Sequence, residues 1–134
     1  MHPKAIKLFS EPNIAHIATI MPDGSPQVTA VWVDFENGFI TINTAKGRIK
    51  HKNIQKDARV AISVVSCTNP LDMASIRGIV LWMKEDYSYK HADKLAKKYM
   101  GVEKYPYRHH GEQRIILHVR ADHVHIMKRP DSSK

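Results

Sequence analysis

The run Ile42-Asn43-Thr44-Ala45-Lys46-Gly47-Arg48-Ile49-Lys50-His51-Lys52-Asn53 sets an apolar, β-branched strand against a glycine and then a short, cation-rich helix. At such a junction the helix start leaves backbone N–H groups without partners and exposes the positive end of the helix dipole, which together favour an anion. Arg48 and Lys50 place full charges beside it. The junction therefore predicts a phosphorylated small molecule as ligand, although on spacing alone the two cations fit a solvated helix face equally well.

Working outward, the chain reads as a series of short strands. Residues 4–9 form one or two amphipathic helical turns ending near Pro12. Residues 14–20 are β-branched and apolar, Pro22-Asp23-Gly24 is a hairpin signal, and residues 27–33 resume the strand pattern. Asn37-Gly38 supplies a second hairpin turn, followed by a third strand over 39–42, so the first three strands are expected to form a meander. Residues 48–57 suit a short helix with Ile49 and Ile54 on its apolar side, and 59–65 are a fourth strand. Pro70 breaks the pattern in a loop over 67–72. Residues 73–84 are a long strand in which Gly78 marks a bulge where the sheet bends. A helix is expected over 87–100 with Gly101 as its stop, then a strand over 114–120 and a seventh over 121–127. The polar tail, 128–134, is expected to be mobile.

The 134 residues fit one domain with a single core, and six or seven short strands with tight turns predict a mainly β protein, an antiparallel barrel. A long apolar strand in so small a barrel needs cover, and pairing with a second copy, a homodimer, is the expected solution. The single cysteine, Cys67, excludes an internal disulfide and is expected to be buried and inert. No apolar run approaches the roughly 20 residues that span a bilayer, and the Met-His-Pro-Lys start lacks a secretory pattern, so a cytoplasmic protein is expected. The net charge of +8 would draw any anion, but aromatic residues make up only 7% and sit mostly within strand patterns, which argues against nucleic acid as partner. Nine histidines invite a metal reading, with His123 and His125 on one strand face and His118 near. Without a His-Glu-x-x-His motif, a cysteine pair or a carboxylate cluster, no metal site is expected.

In order along the chain, Ala18-Thr19-Ile20, Pro22-Asp23-Gly24, Pro26-Gln27-Val28-Thr29-Ala30-Val31-Trp32, the Asn43 to Asn53 junction, Asp57-Ala58-Arg59-Val60, Asn69-Pro70, Arg77-Gly78 and Tyr105-Pro106-Tyr107-Arg108 resemble the pyridoxamine-5′-phosphate-oxidase-like split β-barrel family, closest to its coenzyme F420-dependent, flavin/deazaflavin oxidoreductase branch. The resemblance covers roughly residues 10 to 127 and implies an FMN-binding-type split barrel, a dimer with cofactor clefts at its interface, and F420 or FMN as cofactor. It places Arg48 and Lys50 on the cofactor phosphate, Asn43 and Thr44 beside the polyol chain, and the strand carrying Gln27, Thr29 and Val31 against the tricyclic ring, with Val31 or Trp32 as an apolar floor. Thr29-Ala30 stands where many members of that branch have Ser-Pro, and the arginine-rich C-terminal substrate motif of true pyridoxamine phosphate oxidases has no counterpart, which argues against vitamin oxidation. What the resemblance implies is an oxidoreductase passing hydride to or from a small unsaturated or quinone-like molecule, the cofactor supplying the chemistry, so that no particular catalytic residue is assigned. The alternative is a non-catalytic protein that binds or stores a flavin, deazaflavin or tetrapyrrole. Tyr107 and Arg108 are candidates for closing the substrate side, and Arg77 for facing the pocket.

Overall fold

A computed structural model describes residues 1–127, so the expected mobile tail lies outside the described residues. Helix α1 (Pro3–Ser10) is capped by the His2 side chain, which accepts from the Lys4 N–H. It is followed by β1 (Ala15–Ile20), β2 (Pro26–Val31), β3 (Val33–Glu36), β4 (Phe39–Ala45), α2 (Ile49–Lys56), β5 (Arg59–Val65), β6 (Met73–Glu85), α3 (Lys90–Met100) and β7 (Arg114–Ile126). The strands form one antiparallel seven-stranded sheet in the order β2-β1-β5-β6-β7-β4-β3.

The two edge strands are two halves of one chain segment. Residues 26–31 pair with β1 and residues 33–36 with β4, so the sheet curls until its edges approach around Trp32. The expected meander is therefore replaced by a strand that changes partner at Trp32, a switch that alternation in sequence does not reveal. The long final strand also differs from expectation. Residues 114–126 are continuous, and the strand bends where Asp122 is the extra residue between the pairs Arg77–His123 and Gly78–Ala121. Gly78 sits at that bend as expected, but for a reason of close approach: a Cβ there would lie 2.0 Å from the Arg120 carbonyl oxygen.

Alternate residues of the strands fill the interior with Ile17, Val31, Val33, Ile40, Ile42, Ile62, Ile76, Leu117 and Val119, while Leu8 and Phe9 of α1 and Ile54 of α2 add to the same core. Ile49 is 52% exposed and does not share that apolar side; the second turn of α2 instead buries Asn53, which donates to Thr19 Oγ1 at 3.0 Å. Cys67 is exposed, which corrects its expected burial, because the loop that carries it is held by its backbone: Asn13 accepts from the Cys67 N–H. Helix α3 begins at Lys90, three residues later than expected, since β6 runs to Glu85 and the Asp86 carboxylate then accepts from the His91 and Ala92 N–H groups. Tyr87 is left 80% exposed. Gly101, in the left-handed region at φ 72°, ends α3 as expected.

Candidate functional site

Helix α3 is tied to β3 and β4 through Lys94, Lys98, Tyr99 and His91. Lys98 Nζ donates to the Phe9 and Val33 carbonyls, and the Tyr99 hydroxyl donates to the Asn13 carbonyl at 2.7 Å while accepting from the Val33 N–H. Beside it opens a cleft of about 260 Å³, lined by Ala30, Val31 and Trp32 at the β2–β3 switch, Asn43 and Thr44 of β4, Arg48 and Lys50 at the start of α2, Arg114 at the start of β7, and Tyr105 and Tyr107 from the loop after α3. The structure thus brings Val31, Asn43, Thr44, Arg48 and Lys50 to one place. Gln27 and Thr29 are not among the lining residues. The Gln27 amide oxygen accepts from Thr19 Oγ1 at 3.3 Å, and Thr29 Oγ1 is buried without a hydrogen-bond partner.

The start of α2 is electrostatically incomplete. Arg48 occupies the cap position with an extended backbone, no side chain caps the helix, and no acidic residue stands in its first turn. Gly47, at φ 91°, allows the turn, but its N–H is taken by His51 Nδ1 at 2.9 Å. Lys50 is only 8% exposed, and neither it nor Arg48 forms an ion pair among the described residues. Burial lowers the Lys50 ammonium from its ordinary 10.5, and the positive charges of Arg48 and Arg114 lower it further. Two cations at the positive end of a helix, one of them buried and unpaired, oppose the usual arrangement, in which acidic groups occupy that end. An anion would complete it.

Asn43 serves as a hub, not as a free cleft amide. Its Nδ2 donates to Asp86 Oδ2 at 3.0 Å and to His91 Nδ1 at 2.9 Å, and its Oδ1 accepts from Arg114 Nε at 2.8 Å. With Nδ1 accepting, the His91 proton lies on Nε2, 3.3 Å from Thr41 Oγ1, and burial lowers the basicity of this ring. Arg114, 8% exposed and paired to Glu112 at 3.3 Å, is thereby fixed along the cleft. Sequence reasoning missed Arg114, Asn43's role as hub and Tyr105; an arginine opening an otherwise apolar strand was the one available signal for the first.

Aromatic rings form the opposite wall. Trp32 stacks on Tyr99, centroids 5.2 Å apart and 7° from parallel, and meets Tyr105 edge-on at 6.3 Å. Tyr105 packs against Tyr107 at 5.7 Å and lies under the Arg114 guanidinium at 5.1 Å. Arg108 does not line the cleft; it bonds Asp93 and covers the Tyr89 ring at 4.2 Å. Arg77 lies outside this cleft, in a second hollow bordered by Arg59, Asp122 and His123. His118 stacks on Trp82 at 4.2 Å, and among the described residues no three His, Cys, Asp or Glu side chains gather as a metal site. No helix among the described residues is long and apolar enough to cross a membrane.

Comparison with known proteins agrees with this architecture. The family model described as Pyridoxamine 5'-phosphate oxidase matches residues 1–128. A solved structure named F420 Reductase superposes with a TM-score of 0.80 at 30% identity, covering 89% of this chain and 94% of that one. A conserved hypothetical protein from Mycobacterium tuberculosis gives a TM-score of 0.70 at 20% identity over 96% of this chain and 85% of that one, and General Stress Protein 26 from Bacillus anthracis gives 0.67 at 14% over 95% of each; these two show the fold alone. Among curated proteins, none matches. With its switched edge strand, its curled seven-stranded sheet and a family match spanning nearly the whole sequence, the chain belongs to the pyridoxamine 5'-phosphate oxidase family of split β-barrels.

Proposed function

We propose that the cleft binds a flavin-type cofactor, coenzyme F420 or FMN, and that the protein is an oxidoreductase acting on a small unsaturated or quinone-like molecule. The observation that carries this reading is the pair of unpaired cations, Arg48 and Lys50, at an uncapped helix start that opens onto an aromatic-walled cleft. Their donor set fits a phosphate: a guanidinium, an ammonium and a helix N-terminus, with no carboxylate among the described residues paired to either side chain. Thr44 lines the same cleft as Arg48, Lys50, Val31 and Trp32, and its hydroxyl suits a polyol chain linking phosphate to ring. Gln27, Thr29 and Val31 enter through the backbone of β2, an edge strand that has no second partner strand among the described residues, so its outer N–H and C=O groups suit a ring that carries both donors and acceptors. The cofactor, when bound, supplies the hydride chemistry. The protein's part is to hold the phosphate, orient the ring and keep water from it.

A homodimer belongs to the same proposal. The cleft of about 260 Å³ in one chain is smaller than pockets of the usual ligand-holding size, roughly 300–1,000 Å³, and β2, whose Val28 is 63% exposed, leaves a paired strand only on one side. A second copy would complete both, and sedimentation equilibrium reads the mass directly.

The test is a fluorescence titration with F420 and with FMN, followed by mixing the reduced cofactor with a panel of quinones and enones. Binding of one cofactor below about 0.1 mM, lost in the Arg48→Ala/Lys50→Ala double variant, is expected. Binding of neither refutes the proposal, and binding without turnover of any panel member assigns storage instead of catalysis.

A further inference from the structure

The two jaws of the aromatic wall are held in different ways. Trp32 is backed by Tyr99, whose hydroxyl is anchored to the main chain at Asn13 and Val33. Tyr105 and Tyr107 lie in the loop between Gly101 and Gly111, both with positive φ; Tyr105 meets Trp32, Tyr89 and Arg114, and Arg108 covers Tyr89, but these are ring contacts that do not tie the loop's backbone. Among the described residues, apart from the Glu112 N–H that donates to the His109 carbonyl at the loop's end, every hydrogen bond between residues 102–111 and the rest of the fold ends on one carboxylate, that of Asp93 in α3. The Tyr105 N–H donates to Oδ1 at 2.8 Å, and Arg108 Nη2 donates to Oδ1 at 2.8 Å and to Oδ2 at 3.0 Å. Lys104 Nζ adds a charge contact at 3.6 Å, and among the described residues the only other ion pair of this segment is the exposed Lys97–Glu103 contact, also on α3.

We propose that Asp93 is a positioning residue, which clamps the loop so that Tyr105 and Tyr107 stand opposite the cations and make the cleft selective for phosphorylated ligands bearing a planar aromatic ring. The inference rests on the proposed reading of the cleft as a phosphate-and-ring site. Its chemistry is direct. A carboxylate that accepts from a backbone N–H and a guanidinium fixes both the position and the direction of the loop. Tyrosine rings held in this way present face and edge to a guest at low entropic cost, whereas an untethered loop must be ordered by the ligand itself. Arg114, above the Tyr105 ring, links the wall to the cationic end of the cleft.

The experiment compares 1-naphthyl phosphate with glycerol 3-phosphate, two probes that share the anion and differ in the ring, by calorimetric titration of the intact chain. The wild type should prefer the naphthyl ester by about tenfold or more, the scale of one aromatic stack. Asp93→Ala should abolish that preference while leaving the glycerol 3-phosphate affinity unchanged, and Asp93→Glu should restore part of it. Tyr107→Ala truncates a ring that is 56% exposed, so the fold is not at stake, and it should reduce the same preference. Arg48→Ala/Lys50→Ala should instead weaken both probes together. Tryptic cleavage after Lys104 and Arg108, followed by mass spectrometry, should be faster in Asp93→Ala. A wild type without ring preference, or an Asp93→Ala variant with unchanged preference and unchanged cleavage, overturns the proposal. Naphthyl selectivity in a protein that binds neither F420 nor FMN would leave the clamp standing and remove the cofactor reading.

Discussion

Replacing Lys50 by methionine should move stability and affinity in opposite directions. Lys50 is 8% exposed, sits in the first turn of α2, forms no ion pair among the described residues and faces the positive fields of Arg48 and Arg114. Methionine keeps most of the buried stem and removes the charge, so the ligand-free protein should gain about 1 kcal/mol, the order expected when an uncompensated buried charge is relieved. The same change removes a charge-assisted contact to a bound phosphate, about 1.5–3 kcal/mol, which corresponds to roughly 10- to 100-fold in affinity. Urea denaturation without ligand and calorimetric titration with FMN measure the two quantities. The pH dependence supplies an internal check. Burial holds the folded Lys50 below its ordinary 10.5, so between that lowered value and 10.5 the unfolded chain binds more protons. The burden on the folded state is complete at neutral pH and is lifted as pH rises through this window. The stability advantage of Lys50→Met should therefore shrink towards pH 10.5; Lys98, lowered in the same direction by burial, is common to both proteins and cancels. A variant that is less stable than the wild type at pH 7, or an advantage that stays flat with pH, would refute the claim that this cation is uncompensated in the ligand-free protein.

Asn43→Ala should cost about 2–4 kcal/mol in urea melts, because Arg114, Asp86 and His91 each lose a partner in a buried network. Gly78→Ala should cost about 3 kcal/mol or more, read as a drop in melting temperature, since the new Cβ would lie 2.0 Å from the Arg120 carbonyl oxygen, a backbone atom that no rotamer change can move. Burial lowers the folded His91 below its ordinary 6.5, so the unfolded chain binds more protons between that lowered value and 6.5, and stability should fall as pH drops through this window; in His91→Gln the slope over the same range should be smaller.

The parts of this structure that were legible in the sequence are those governed by neighbours along the chain. The β-branched runs became strands, Pro22-Asp23-Gly24 and Asn37-Gly38 became hairpin turns, Gly101 ended its helix, and the strand–glycine–helix junction put Arg48 and Lys50 beside Thr44 on one cleft. The edge-strand switch at Trp32 was hidden because residues 27–33 alternate like a single strand, and only the choice of partners, β1 before and β4 after, divides them. The internal bonds of Asn43 are hidden from the sequence because its three partners lie 43, 48 and 71 residues away, and nothing local marks an amide that will bond internally. Asp93 was hidden for a similar reason: in α3 it resembles an ordinary first-turn acid complementing the helix dipole, and its second task appears only when the loop folds back onto it.

The cationic and aromatic ends of the cleft are built on one feature of the sheet. Pairing of β4 with β7 sets Ala45 opposite Arg114 and Asn43 opposite Ile116, so the strand that leads into Gly47 and α2 is in register with the strand that begins at Arg114. The Lys46 N–H donates to the Gln113 carbonyl at 2.8 Å and continues that contact one step past the strands. Arg114 then reaches in both directions, its charge acting on Lys50 and its guanidinium lying over Tyr105, while Asn43 holds its Nε in place. A phosphate drawn to Arg48 and Lys50 would relieve the repulsion that Lys50 shares with Arg114, and Arg114 is also the roof of the ring that Asp93 positions. On the proposed reading, phosphate and ring recognition would be joined through a single buried guanidinium, which would give this small barrel a physical reason to favour a ligand that carries both groups over one that carries either alone.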